Sequence, residues 1–179
     1  MAAFTVIDHT ELGASASSWD VTSIPTDGTY DHLMLKVSSR TDEVGQILDD
    51  WGLRFNADTG SNYSRTHLVG WTATPASGQA TGQTSINYMW GNTGPSATAN
   101  TFGVLTVWIP HYANTANFKQ ALCSWAGENA STTDYRWAVG LTAGLWSDTS
   151  AIDQITLFDI SAADFVQYST FTLYGVTGA

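Results

Sequence analysis

The decapeptide Tyr30-Asp31-His32-Leu33-Met34-Leu35-Lys36-Val37-Ser38-Ser39 places Leu33, Leu35 and Val37 two residues apart. His32, Met34, Lys36 and Ser38 fill the positions between them. Successive side chains of an extended chain point to opposite faces, so this pattern is a strand with one buried face. A helix would scatter the three apolar residues around its axis. The same period recurs outward from this stretch in both directions. Trp51, Leu53 and Phe55 alternate with Gly52, Arg54 and Asn56, and residues 63–71 form the return strand after a turn at 56–62. Ile86, Tyr88 and Trp90 alternate, as do Ile155 and Leu157, and Trp19 and Val21 precede the turn Ile24-Pro25-Thr26-Asp27-Gly28. Residues 118–126 and 135–145 read as a pair joined by the polar loop 128–134. In the second of them Tyr135, Trp137, Val139 and Leu141 alternate with Arg136, Ala138, Gly140 and Thr142.

Two kinds of segment break the period. Residues 102–109 are nearly continuously apolar before Pro110 ends them, which predicts a central strand buried on both faces. Residues 72–84 and 91–100 are small and polar, which predicts two long loops. No stretch carries helical periodicity. About ten strands at regular spacing predict an all-β fold: a single jelly-roll-like β-sandwich of antiparallel strands spanning residues 1–179 as one domain. Residues 1–18 read as an N-terminal arm able to pair with a neighbouring subunit, because 13–18 are small and polar. Residues 4–7 read equally as the first strand of the chain's own sandwich.

Charge narrows the partners. Of 179 residues, 43% are hydrophobic and only 12% charged, against about 25% in an average soluble domain. Six Lys and Arg face 16 Asp and Glu, for a net charge of −10. Phosphate contacts need a basic stripe, so a nucleic-acid backbone and an anionic membrane are not the expected partners. The N-terminus has no basic start followed by an apolar core, so no signal peptide is expected. No apolar run reaches membrane-spanning length. The lone Cys123 lies in a strand-like setting with no neighbouring base and reads as a small buried hydrophobe.

The sequence carries no catalytic motif, and no cofactor or metal is expected. His9, His32, His67 and His111 fall on separate segments. Asp49 and Asp50 are adjacent, so in a strand they would point apart, and they read as a solvated entry to the strand at Trp51. Glu128 and Asp134 flank one loop. The segment Asp58-Thr59-Gly60-Ser61-Asn62 offers hard oxygen donors for calcium, but an Asx turn with Gly in the left-handed region explains the same letters. The eight Trp are the best argument for binding. Trp51, Trp90, Trp108 and Trp137 sit in strand patterns and are core candidates. Trp71 and Trp146 lie near strand ends as candidate exposed groups, for a subunit interface or for stacking a sugar.

The C-terminal block Ile155-Thr156-Leu157-Phe158-Asp159-Ile160, then Asp164-Phe165, then Ser169-Thr170-Phe171-Thr172-Leu173-Tyr174-Gly175-Val176, resembles the closing signature of tailed-phage virion surface proteins of jelly-roll type. In these an I-x-L strand precedes a short segment ending in Phe and a final S-x-F-x-L-Y-G-[IV] strand. Residues 30–40 and 53–63 resemble the same group, in the expected order. The resemblance implies a head decoration (cement) protein, or alternatively a tail-fibre or tail-appendage tip that contacts a host glycan or protein. It further implies a homotrimer, a partner such as the major capsid protein, and a place on the outer surface of the virion after synthesis in the host cytoplasm; the absence of any nucleophile–base or paired-carboxylate spacing leads to the expectation of no enzymatic activity. The candidate interface residues are Phe4, Val6 and Leu12 on the arm, Trp71 and Trp146, and Tyr174, which alternation turns away from Phe171, Leu173 and Gly175.

Overall fold

The computed structural model describes residues 3–71, 74–130 and 138–178. Among them there is no helix. Thirteen strands form instead: β1 (Ala3–Glu11), β2 (Ser18–Val21), β3 (His32–Ser39), β4 (Leu48–Asp49), β5 (Trp51–Phe55), β6 (Tyr63–Trp71), β7 (Thr74–Gln83), β8 (Asn92–Thr93), β9 (Gly103–Pro110), β10 (Lys119–Gly127), β11 (Ala138–Trp146), β12 (Ile155–Asp159) and β13 (Thr170–Thr177). The protein is an all-β sandwich, antiparallel in every strand pair.

The sandwich is uneven. A large sheet runs in the order β1-β13-β3-β9-β10-β11-β6-β7, and a small one is β2-β12-β5. A short β4-β8 ladder lies between elements of the two. The opening decapeptide becomes β3, near the middle of the large sheet, with Leu33, Leu35 and Val37 buried and Lys36 exposed. The small sheet covers the inner face of the large one. Trp19 of β2 stacks on Phe171 of β13 with centroids 5.5 Å apart, and Phe55 of β5 meets Trp146 of β11 at 5.8 Å. Both sheets feed one hydrophobic core.

Several expectations are corrected. Residues 74–83, expected in a loop, are the strand β7. It is an edge strand without a covering layer, largely exposed on both faces, so its residues carry no polarity contrast. The alternation of Ile86, Tyr88 and Trp90 is not a strand. Ile86 and Met89 are the residues that reach the core, and Tyr88 turns through φ +68°. β9 is central but buried on one face only: Leu105, Val107 and Ile109 point inward and Val104 outward. Residues 3–11 are not a free arm, because β1 pairs along its length with β13 of the same chain. In β11 the inner set is Ala138, Gly140, Thr142 and Gly144, so Val139 and Leu141 face outward. Trp137, Tyr135 and Arg136, and with them Asp134, lie outside the described residues.

One glycine sets a close approach at the C-terminal strand. A Cβ on Gly175 would lie 2.3 Å from Cγ of the Tyr30 ring. Gly175→Ala is therefore expected to lose about 1–3 kcal/mol of stability to overpacking. Adding Tyr30→Ala should make the two losses less than additive, because the clash is removed. Urea melts of the four proteins in this cycle check the expectation, and additive losses would contradict it.

Candidate functional site

Among the described residues, the outer face of the large sheet carries an unusual set of exposed side chains. Ladder register lines its outward residues into three rows that cross the strands. The first joins Met34, Trp108, Leu122, Ala143 and Thr66. The middle row joins Lys36, Thr106, Ser124, Leu141 and Leu68. The third joins Ser38, Val104, Ala126, Val139 and Gly70. Lys36 is the one charged side chain in the three rows. Leu68, Val104, Leu122, Val139 and Leu141 are each about half exposed, with Val139 at 62%. Between them the face sinks into a bay of about 560 Å³, bordered by Pro75 of β7, Gly70 and Ala126.

The sequence explains why β11 turns its larger residues outward. The inner face needs room, because Trp125 of β10 lies over Gly140 and Ile86 over Gly144. A Cβ at Gly140 would come within 2.3 Å of the Trp125 ring, and one at Gly144 within 2.5 Å of Ile86. The Trp125 indole N–H donates to Thr142 Oγ1 at 3.1 Å, and Thr142 Oγ1 donates to the carbonyl of Tyr88 at 2.8 Å. Core volume at β11 thus comes from its neighbours, and Val139 and Leu141 are left for the outside.

A second constellation was missed in the sequence. Asp49, Asp50 and Asp159 are not solvated; they are 1%, 6% and 2% exposed. Asp159 is brought to Asp50 and Asp49 by the pairing of β12 with β5, where Asp159 faces Trp51. Asp49 accepts the Thr41 hydroxyl at 2.6 Å. Asp50 accepts the amide of Tyr88 at 2.9 Å and that of Met89, which fixes the strained turn. Asp159 Oδ1 accepts the Ser161 amide at 2.9 Å, whereas its Oδ2 and the neighbouring Asn92 Nδ2 make no hydrogen bond of ordinary geometry. Burial pushes Asp159 up to about 7, reinforced by the Asp49 charge, and Asp50 up to about 6. Burial also raises Asp49, opposed by the Thr41 bond. Carboxyls this enclosed lack the substrate access that acid–base catalysis requires. Among the described residues no group of three His, Cys, Asp or Glu is placed to hold a metal ion.

Asp58 spends both carboxylate oxygens on protein donors: the Gly60 amide on Oδ1, and the Asn62 amide nitrogen and Trp146 indole on Oδ2, each at 2.7 Å. The Trp146 bond, with the others, holds its pKa below the ordinary value. The turn is of the Asx kind, but its left-handed residues are Asn56 and Ala57 and not Gly60. Cys123 is fully buried, and burial raises its thiol to about 12. Trp146, expected to be exposed, is 2% exposed and belongs to the core, which corrects its place among interface residues. Trp51 is core as expected, while Trp108 lies half-buried on the outer face against His32, with centroids 4.9 Å apart. Trp71 and Trp90 are both half-buried and meet edge to face at 6.4 Å. Glu128 is exposed and accepts the amides of Asn129 and Ala130.

The remaining interface candidates separate by place. Phe4 and Val6 are exposed on the edge strand β1, and Phe4 meets Tyr174 edge to face at 6.3 Å. Leu12 is half-buried against the chain's own core. The five exposed aliphatic residues of the outer face were not singled out from sequence. The available signal was the unequal size of the two alternating sets in residues 138–146.

Fold and surfaces together define an all-antiparallel β-sandwich with a weakly charged outer sheet face. No family model and no curated protein matches the chain. Among solved structures, the VIP36 exoplasmic/lumenal domain in its Ca2+/Man3GlcNAc-bound form is similar over 99% of this chain and 87% of that one, with 8% identity and a TM-score of 0.34. A likeness of that degree carries no argument about function.

Proposed function

We propose that the protein is a non-enzymatic structural component of a tailed-phage virion, of the head-decoration kind, and that it works by burying the outer face of its large sheet against protein. The observation that supports this reading most is the outer face itself. Monomeric proteins rarely expose apolar patches beyond a few hundred Å² unless the patch is a contact site. Here, across β3, β9, β10, β11 and β6, five aliphatic residues share a face with one charge. The C-terminal resemblance supplies the virion, and the face supplies the means of assembly. The alternative from the same resemblance, a tail-fibre or receptor-binding tip, places the same face in a smaller number of copies.

Quantitative mass spectrometry of purified virions encoding this chain tests the proposal. Copies in the hundreds per particle are expected for decoration. A few dozen or fewer would favour the fibre-tip alternative, and absence from the particle would overturn both.

A further inference from the structure

We infer that the outer face of the large sheet pairs with the same face of a second copy of this chain, about a two-fold axis running along its middle row, which makes a dimer where the resemblance implies a homotrimer. The inference rests on the reading of that face as a protein contact and adds the identity of what covers it. Charge argues for it first. Two copies of a chain with net charge −10 repel each other, and they can approach closely only where carboxylates are absent. Across these five strands the three rows contain none, and the third row meets its first, Glu11, only on the edge strand β1. Shape argues for it second. The first row carries Leu122 beside the small Ala143, whereas the third alternates exposed Val104 and Val139 with the small residues Ser38, Ala126 and Gly70. An axis along the middle row lays Leu122 of each copy over Ala126 of the other, and Val139 over Ala143, so one surface supplies both knob and hole, as a two-fold contact requires.

Size is the third argument. Five strands about 4.8 Å apart and three rows about 7 Å apart give a patch of roughly 500 Å² per copy. Two copies then bury about 1,000 Å², the lower bound for a specific interface. The pairing would be that of two sheets face to face, with strands nearly aligned. Lys36, exposed at the β3 end of the middle row, meets its own copy across the axis, and its long stem lets the two ammonium groups diverge into water. Ser124, at the centre, faces its own copy across the axis.

Sedimentation equilibrium of the full chain provides the test. The expected species has twice the 19.2 kDa chain mass, and Val139→Asp combined with Leu141→Asp should weaken association by at least about a hundredfold, since four carboxylates enter one contact. Ser124→Cys should give a cross-linked dimer with a short bis-maleimide, and Thr59→Cys, on an exposed loop, should not; buried Cys123 does not compete. The cross-link does not depend on the Asp variants folding. A chain that stays monomeric at about 100 µM, a trimer, or a dimer that ignores both Asp substitutions and fails to cross-link at Ser124 would overturn the two-fold pairing. Those outcomes leave the virion proposal to the copy-number measurement, so the two can fail separately.

Discussion

Acidification from about pH 8 to about pH 5 is expected to stabilise this protein, where many proteins begin to lose stability. The cause is the buried trio Asp49, Asp50 and Asp159. In the unfolded chain these carboxyls titrate near the ordinary value of about 3.9. In the fold, burial holds Asp50 near 6 and Asp159 near 7, and raises Asp49 in the same direction. Between the two ranges the folded state binds protons that the unfolded state has released. The stabilisation is complete below the unfolded pKa and is lost as pH rises through 6 and then 7. At 1.36 kcal/mol per unit, acidification from about pH 8 to about pH 5 recovers on the order of 4 kcal/mol, shared among coupled groups. The carboxylates Asp27, Asp58 and Asp148 have lowered pKa values and lose their contribution only below the ordinary carboxylate range, so the optimum falls at about pH 4–5.

Asp49→Asn separates this cause from the general relief of negative charge. It removes one charge beside Asp159 while the Thr41 hydroxyl can turn to the new carboxamide. The variant should be more stable than the parent at about pH 8 and little changed at about pH 4.5, flattening the profile. Melting curves across this range check it. A parent whose melting temperature falls on acidification to about pH 5 would contradict the account of the trio.

The second large effect belongs to Trp51, which is fully buried. Its indole donates to Ser39 Oγ at 2.9 Å, and Ser39 Oγ in turn donates to Asn92 Oδ1 at 2.8 Å. Gly91 packs so closely that a Cβ there would lie 2.9 Å from Trp51 Cζ3. Trp51→Ala should cost about 3–5 kcal/mol through the cavity it leaves. That is a large part of the 5–15 kcal/mol typical of a whole domain. Trp51→Phe keeps most of the apolar body and loses the indole bond, at about 1 kcal/mol or somewhat more. Trp108→Ala, on the outer face, should cost the isolated chain about 1 kcal/mol. Urea midpoints with unchanged slopes test the ranking, and equal losses at Trp51 and Trp108 would contradict the assignment of faces.

These positions show what the sequence could and could not reveal. Leu33, Leu35 and Val37 were legible because their strand separates an apolar from a polar face. β11 was not, because both its sets are uncharged and Gly140 and Gly144 serve side chains from distant segments. β7 was illegible for the opposite reason: with both faces exposed, nothing in Thr74–Gln83 needs to alternate. The carboxylate trio was hidden because Asp159 meets Asp49 and Asp50 only through the pairing of β12 with β5. Asp50 also lies between β4 and β5, where the two-face rule of a regular strand does not apply.

The small inner residues of β11 have a consequence for how such a surface can change over generations. Val139 and Leu141 contribute little to the interior, because Trp125 and Ile86 already fill the space beneath their strand. Substitutions at the two outward positions therefore alter recognition while sparing folding, and substitutions at Gly140 and Gly144 do the reverse. Neighbouring codons in one strand come under separate selection. A lineage carrying this fold can acquire a new neighbour by rewriting every second residue, with the interior left as it was.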